Sequence, residues 1–101
     1  MPEIKYLPSF YQELNAIVEY ITYTLKAPRA ALDLLDDLEK SINSLKDFPL
    51  AHRLYRPIKP IASQYRVFSV KNYLVFYIIH EEIIEIHRII YKKRDLSQLI
   101  K

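Results

Sequence analysis

Residues 65–91 constrain the fold of this 101-residue chain more than any other stretch. They hold three runs that are dense in β-branched and aromatic residues, which favour the pleated, packed surface of a β-sheet. Lys71-Asn72 separates the first two runs, and asparagine tolerates the left-handed conformation that a tight hairpin requires. The sequence therefore predicts an antiparallel meander whose middle strand, apolar on both faces, lies centrally. The runs span residues 65–70, 73–79 and 83–91.

Two helices are predicted ahead of the meander. A strand candidate at residues 4–7 comes first and can add an edge to the sheet. Ser9, with Gln12 three residues later, has the pattern of a capping box at a helix start. Apolar residues then recur at helical spacing as far as Leu25, and Pro28 discourages the helix from continuing. The predicted apolar face consists of Phe10, Leu14, Ile17, Val18, Ile21 and Leu25.

The second helix is predicted to begin at Pro28, a residue suited to the first helical position, and to stop before Pro49. Its short connection to the first helix makes the pair an antiparallel hairpin, which must bury its apolar stripes on the sheet. Residues 48–64 are expected to be an irregular basic segment, and residues 95–100 a short terminal helix. We therefore expect one α+β domain over residues 1–101. The second stripe consists of Ala31, Leu34, Leu35, Leu38, Ile42 and Leu45.

Composition excludes several classes of function. The chain has no cysteine and no glycine, so thiolate metal sites and glycine-rich phosphate loops are impossible. His52, His80 and His87 lack the spacing of metal ligands, and neither a metal nor a cofactor is expected. Residues 1–3 lack the start of a signal peptide, and charges interrupt every apolar run. These features lead us to expect a cytoplasmic protein that does not associate with membranes.

Charge is distributed unevenly along the chain. Residues 1–47 carry five basic and eight acidic groups, a net charge of −3, whereas residues 48–101 carry ten basic and four acidic groups, a net charge of +6. The basic half is either an ordinary soluble surface or a surface for an acidic partner. The candidate residues for binding such a partner are Arg66, His87, Arg88, Tyr91, Lys92, Lys93 and Arg94.

Strict alternation along the third strand places Glu85, His87, Ile89 and Tyr91 on one face and Ile84, Ile86, Arg88 and Ile90 on the other. Arg88 is then out of place among isoleucines. It either extends past the edge of the core, or a bulge changes the alternation after it. If the candidate residues converge, they could bind RNA phosphate and stabilise charge during cleavage, with His87 or Tyr91 moving the proton.

Several short segments carry a resemblance in combination, and none is convincing alone. They are Tyr65-Arg66-Val67-Phe68, Asn72-Tyr73-Leu74-Val75-Phe76-Tyr77, Ile86-His87-Arg88-Ile89-Ile90-Tyr91 with Lys93-Arg94-Asp95, and Asp47-Phe48-Pro49 after the helical hairpin. With the order of the predicted elements, this chain resembles the RelE/ParE family of bacterial toxins from type II toxin–antitoxin systems. The resemblance covers nearly the whole chain and implies a small growth-inhibiting toxin that a cognate antitoxin neutralises.

The resemblance leaves three functions open. RelE-like members cut messenger RNA on the ribosome, ParE-like members poison DNA gyrase, and a non-toxic interaction module could share the fold. RelE-type nucleases have an arginine at the position of Leu74 and a second lysine at the position of Phe68. These departures, and the long helical hairpin, favour a ParE-like toxin whose partners are an antitoxin with an acidic segment and gyrase. If the chain is a nuclease, the resemblance points to Arg66, Arg88, Tyr91 and Lys93.

Overall fold

A computed structural model describes residues 2–55 and 64–93. Within them the expected α+β architecture is confirmed, with a helical hairpin lying on one face of an antiparallel meander. The predicted terminal helix at 95–100 lies outside the described residues. In chain order the elements are β1 (Glu3–Tyr6), α1 (Pro8–Glu19), a π-helical segment (Tyr20–Thr24), α2 (Pro28–Ser44), β2 (Arg66–Val70), β3 (Tyr73–His80) and β4 (Ile83–Tyr91).

The strands form a sheet in the order β1-β4-β3-β2. The meander is antiparallel as predicted, and β1 adds an edge by pairing parallel to β4. The prediction that Asn72 supplies the left-handed conformation in the first hairpin was wrong, because Lys71 has the positive φ, 54°. In the second hairpin Glu81 has this role, with φ 58°. Both turns therefore hold a residue with a Cβ in the region that glycine favours.

The helices begin and end largely where the sequence indicates. The capping box was wrong, because α1 begins at Pro8 with Leu7 as an N-cap that makes no side-chain cap hydrogen bond. Ser9 lies inside the first turn, and its hydroxyl donates to the carbonyl of His87 at 2.7 Å. The helical run continues through the π-helical segment to Leu25, and α2 begins at Pro28 as predicted.

The main core lies between the helices and the sheet. Leu25 was wrongly assigned to it, since this side chain is 54% exposed at the tip of the hairpin. A smaller cluster of Val67, Phe76 and Ile90 lies on the opposite face of the sheet, against Tyr55, Tyr65 and Leu74. The middle strand is thus covered at least in part on both faces, as its composition predicts. The main core includes Phe10, Ile21, Ala31, Leu34, Leu38, Ile42, Leu45, Phe68, Val75, Tyr77, Ile84 and Ile86.

A β-bulge interrupts β4 and changes its alternation. Phe76 pairs with Arg88 but the next residue, Tyr77, pairs with Ile86, so His87 is the extra residue. Ile84, Ile86 and Ile89 consequently contribute to the helix-side core, whereas Ile90 belongs to the opposite cluster. The strict alternation predicted for this strand was therefore wrong beyond Ile86. A bulge, one of the two explanations offered for Arg88, is present, but it lies just before the arginine and not after it as predicted.

Candidate functional site

Arg88 connects the strand β4 to the helix α1. Its Nε donates to Glu13 Oε1 at 2.8 Å, and its Nη2 donates to Oε2 at 2.6 Å, in a two-point ion pair. Glu13 Oε1 also accepts the backbone N–H of Ile89 at 3.2 Å. The hydrogen bonds to Glu13 raise the pKa of Arg88, so the guanidinium stays charged. Because β1 ends at Tyr6, opposite Ile86, α1 covers the β4 edge beyond that point through Ser9 and Glu13.

A chain of three polar side chains lies at the bulge. The hydroxyl of Tyr65 is 3.1 Å from His87 Nδ1, and His87 Nε2 is 3.1 Å from Glu85 Oε1. Each ring nitrogen of His87 therefore faces one oxygen, and in the tautomer with the proton on Nε2 the ring donates to Glu85 and accepts from the phenol at Nδ1. Burial raises the pKa of Tyr65, and the nearby charge of Arg88 opposes that effect. The three groups form a continuous hydrogen-bonded path, and its central member, the His87 side chain, is only 16% exposed.

Arg66 holds the segment after α2 against the sheet. Its Nη1 donates to the carbonyl of His52 at 2.8 Å, and Leu54 forms a β-bridge with Arg66. On the neighbouring strand the Tyr77 hydroxyl donates to the carbonyl of Pro49 at 2.9 Å. Burial raises the pKa of Tyr77 and lowers that of His52. These contacts indicate that Arg66 stabilises the loop that leads away from the helical hairpin.

Tyr91 and the lysines after it lie at the other end of the sheet. Tyr91 pairs with Tyr73, and their ring centroids are 5.7 Å apart. The backbone N–H of Lys92 donates to the carbonyl of Asn72 at 2.9 Å, which holds the basic turn beside the β2–β3 turn. Lys92 and Lys93 are exposed. Tyr91 also lines a cavity of about 780 Å³ between these turns and the tip of the helical hairpin.

The candidate residues do not converge on one site. Arg66 pairs with Tyr77 and Arg88 with Phe76, and consecutive residues of β3 point to opposite faces of the sheet. Tyr91 shares the helix side with Arg66, but the two residues lie far apart along the sheet. Tyr91 pairs with Tyr73 and Arg66 with Tyr77, and these two positions of β3 are about 13 Å apart. Only the neighbours His87 and Arg88 meet at the bulge, and Arg94 lies outside the described residues.

Sequence reasoning placed Glu85 on the same face as His87, but it did not single out the other partners that surround these residues. Glu13, Tyr65 and Glu85 contact His87 or Arg88, but Glu13 and Tyr65 are distant from them along the chain. Tyr20 and Tyr73 likewise line the cavity beside Tyr91. The position of the bulge could not be predicted from the sequence. The placement of Arg88 among isoleucines was the feature that indicated a bulge in this strand.

Two further observations apply to the described ranges, 2–55 and 64–93. No group of three histidine, aspartate or glutamate side chains in these ranges is placed to hold a metal ion. Nor do they contain a helix with the length and apolar character needed to cross a membrane.

The described elements form a small α+β fold with an edge strand, a helical hairpin and a basic end to its meander, which is the architecture that the sequence predicts. A family model described as "ParE toxin of type II toxin-antitoxin system, parDE" matches residues 4–96. The chain therefore belongs to the ParE toxin family, and the resemblance in its sequence is confirmed.

The solved structures include one with the same fold. It is described as "Chromosomal ParDE TA system from P. aeruginosa", and the two chains superimpose with a TM-score of 0.71 at 18% sequence identity. The match covers 90% of this chain and 96% of that one. No curated protein matches the sequence.

Proposed function

We propose that this chain is a growth-arresting toxin that poisons DNA gyrase and is held inactive by a cognate antitoxin. The observation that carries the proposal is the match of residues 4–96 to the ParE family. The side chains add support, because Leu74 and Phe68 carry no charge where RNA-cleaving relatives are expected to have cations. Arg66 and Arg88 are engaged by His52 and Glu13, so both have structural roles in the free toxin.

The proposed antitoxin presents an acidic, partly apolar segment to the helical hairpin and the sheet. Two features support this partner: the net charge of +6 in residues 48–101 and exposed apolar side chains on the hairpin. Burying those side chains would contribute roughly 25 cal/mol per Å², and the opposite charges would favour association. The apolar side chains are Tyr20, Tyr23, Leu25 and Leu32. The proposed gyrase target implies action in the cytoplasm.

A paired assay on the purified chain tests the gyrase proposal. We expect loss of DNA supercoiling with accumulation of cleaved DNA, while ribosome-bound messenger RNA stays intact. Adding the product of the neighbouring antitoxin gene should restore supercoiling, which provides the internal control. Normal supercoiling together with cut RNA would reject gyrase as the target. Growth without arrest on expression would favour the third function, a non-toxic interaction module.

A ribosome-dependent endoribonuclease is the second candidate, and one observation favours it. Tyr65, His87 and Glu85 form a hydrogen-bonded chain beside the charge of Arg88, and such groups can transfer a proton during phosphodiester cleavage. If RNA is cut, His87→Ala should abolish cleavage and leave folding intact. Arg66, Arg88, Tyr91 and Lys93 would be the next residues to replace, and Glu19→Ala on the exposed face of α1 would serve as the control.

A further inference from the structure

The cavity between the hairpin tip and the β2–β3 turn has the size of a small-molecule site. Its volume of about 780 Å³ falls within the usual range of roughly 300–1,000 Å³ for such pockets. Ile17, Ile21 and Leu34 provide an apolar lining. Asp33 and Asn72 add a carboxylate and an amide to it. An apolar pocket with a few polar groups is typical of a binding site for an organic ligand.

Three phenol rings come together at this cavity. Tyr20, Tyr73 and Tyr91 all line it, and the rings of Tyr73 and Tyr91 meet edge to face. Burial raises the pKa of Tyr73, and the neighbouring hydroxyls of Tyr91 and Tyr20 raise it further. Tyr20 is 52% exposed and Tyr91 is 38% exposed, so part of both rings is available to a ligand. The cavity therefore offers π faces and phenol hydroxyls in one place.

The backbone beside the cavity departs from regular helix. The segment Tyr20–Thr24 is π-helical, and such turns occur frequently at functional sites. Lys26 follows with φ 53°, a conformation that is unfavourable for a residue with a side chain. The N–H of Ala27 donates to the carbonyl of Ile21 at 3.0 Å and holds this shape. These features end the helix with a left-handed residue and fix the shape of the hairpin tip beside the cavity.

One lysine lines the cavity, and two more follow one of its lining residues along the chain. Lys71 lines it and forms an ion pair with Asp37 at 3.0 Å. Lys92 and Lys93 follow Tyr91 directly and are exposed. The backbone N–H of Lys92 donates to the carbonyl of Asn72, which keeps this part of the chain near the β2–β3 turn. An aromatic surface flanked by lysines is the arrangement that holds single-stranded nucleic acid.

We propose that this cavity binds an unpaired nucleobase of single-stranded DNA, with the base against the tyrosine rings and adjacent phosphates on Lys92 and Lys93. An aliphatic side chain would fill the apolar lining but would leave the phenol hydroxyls, Asn72 and Asp33 without partners. Edges of a base carry donors and acceptors for such groups. The site is separate from the proposed action on gyrase and does not depend on it.

Fluorescence anisotropy of a labelled oligothymidylate with the purified full chain tests the proposal. We expect Tyr20→Ala and Tyr91→Ala each to weaken binding about 10-fold through lost stacking. The double variant Lys92→Ser/Lys93→Ser should lower the slope of log affinity against log salt by about 1.4, since each phosphate contact on a single strand contributes about 0.7. An abasic oligonucleotide, which keeps the phosphates, should bind about 10-fold more weakly than oligothymidylate.

Tyr23→Ala is the matched control, because Tyr23 lies in the same π-helical segment, is 75% exposed and does not line the cavity. Its affinity should equal that of the wild type. Absence of binding at low salt, equal affinity for the abasic strand, or tyrosine variants that bind normally would overturn the proposal. Tyr20 is half exposed, so its variant should fold, and its result decides the test if Tyr91→Ala does not fold.

Discussion

Replacing Glu13 with alanine should destabilise the protein by about 2 kcal/mol. The substitution removes both hydrogen bonds to Arg88 and leaves the N–H of Ile89 without its side-chain acceptor. A fully buried pair would cost about 3–5 kcal/mol to break. Here the Arg88 and Glu13 side chains are 25% and 21% exposed, so water can hydrate the remaining guanidinium and reduces the cost.

Urea denaturation followed by far-ultraviolet circular dichroism measures this change. In thermal unfolding of a domain of this size, a loss of about 2 kcal/mol corresponds to a decrease in Tm of roughly 8–16 °C. Glu13→Gln keeps one oxygen acceptor and should lose only about 1 kcal/mol. Glu19→Ala on the exposed part of the same helix should stay within about 0.5 kcal/mol of the wild type. A Glu13→Ala variant as stable as Glu19→Ala would refute the reasoning, and apolar packing alone would then hold α1 on the β4 edge.

Three other changes test separate parts of the structure. Tyr65→Phe removes the donor to His87 and should cost about 0.5–1.5 kcal/mol in urea denaturation, and an unchanged midpoint would mean that the hydrogen bond contributes nothing. Burial lowers the pKa of His52 below its ordinary value of 6.5, so its contribution to stability is present above pH 6.5 and is lost as pH falls through the folded-state pKa. The pH dependence of the urea midpoint should flatten in that range for His52→Gln, and an identical profile would exclude His52 as its source. Ile86→Ala, at a fully buried position, should cost about 2–5 kcal/mol, and a smaller loss would mean that the core collapses around the substitution.

The sequence was sufficient for most of the fold because its signals are local and agree with one another. Three β-branched and aromatic runs with short polar breaks allow one simple arrangement, the meander. Pro28 and the apolar periodicity likewise fix the start and the buried face of α2. Leu25 shows the limit of this reasoning, because periodicity assigns a face but cannot show that an open cavity separates the hairpin tip from the sheet. The left-handed conformation of Lys71 and Glu81 in the two turns could not be predicted either, since neither residue type favours that conformation.

The candidate site was less predictable because it depends on register. Alternation along β4 is a correct guide up to Ile86, and one extra residue then reverses it for everything that follows. The change is seen in the strand pairing, where Phe76 pairs with Arg88 and Tyr77 with Ile86. Pairing depends on both strands, so the sequence of β4 alone does not determine it. The partner of Arg88 lies 75 residues earlier in the chain, at Glu13, where nothing local marks it. A misplaced charge on an apolar face was the single clue that the sequence contained.

The bulge also explains how one short strand carries charged residues with different roles. Before it, Ile84 and Ile86 complete the helix-side core, and Glu85 is free to meet His87 on the other face. After it, Arg88 lies on the face of the sheet that Phe76 shares, and Glu13 of α1 neutralises it. Without the extra residue, Arg88 would share the face of Ile84 and Ile86 and would enter the core, at a desolvation cost of several kcal/mol. The bulge therefore allows a charged residue near the basic end of β4 to remain compatible with a packed sheet.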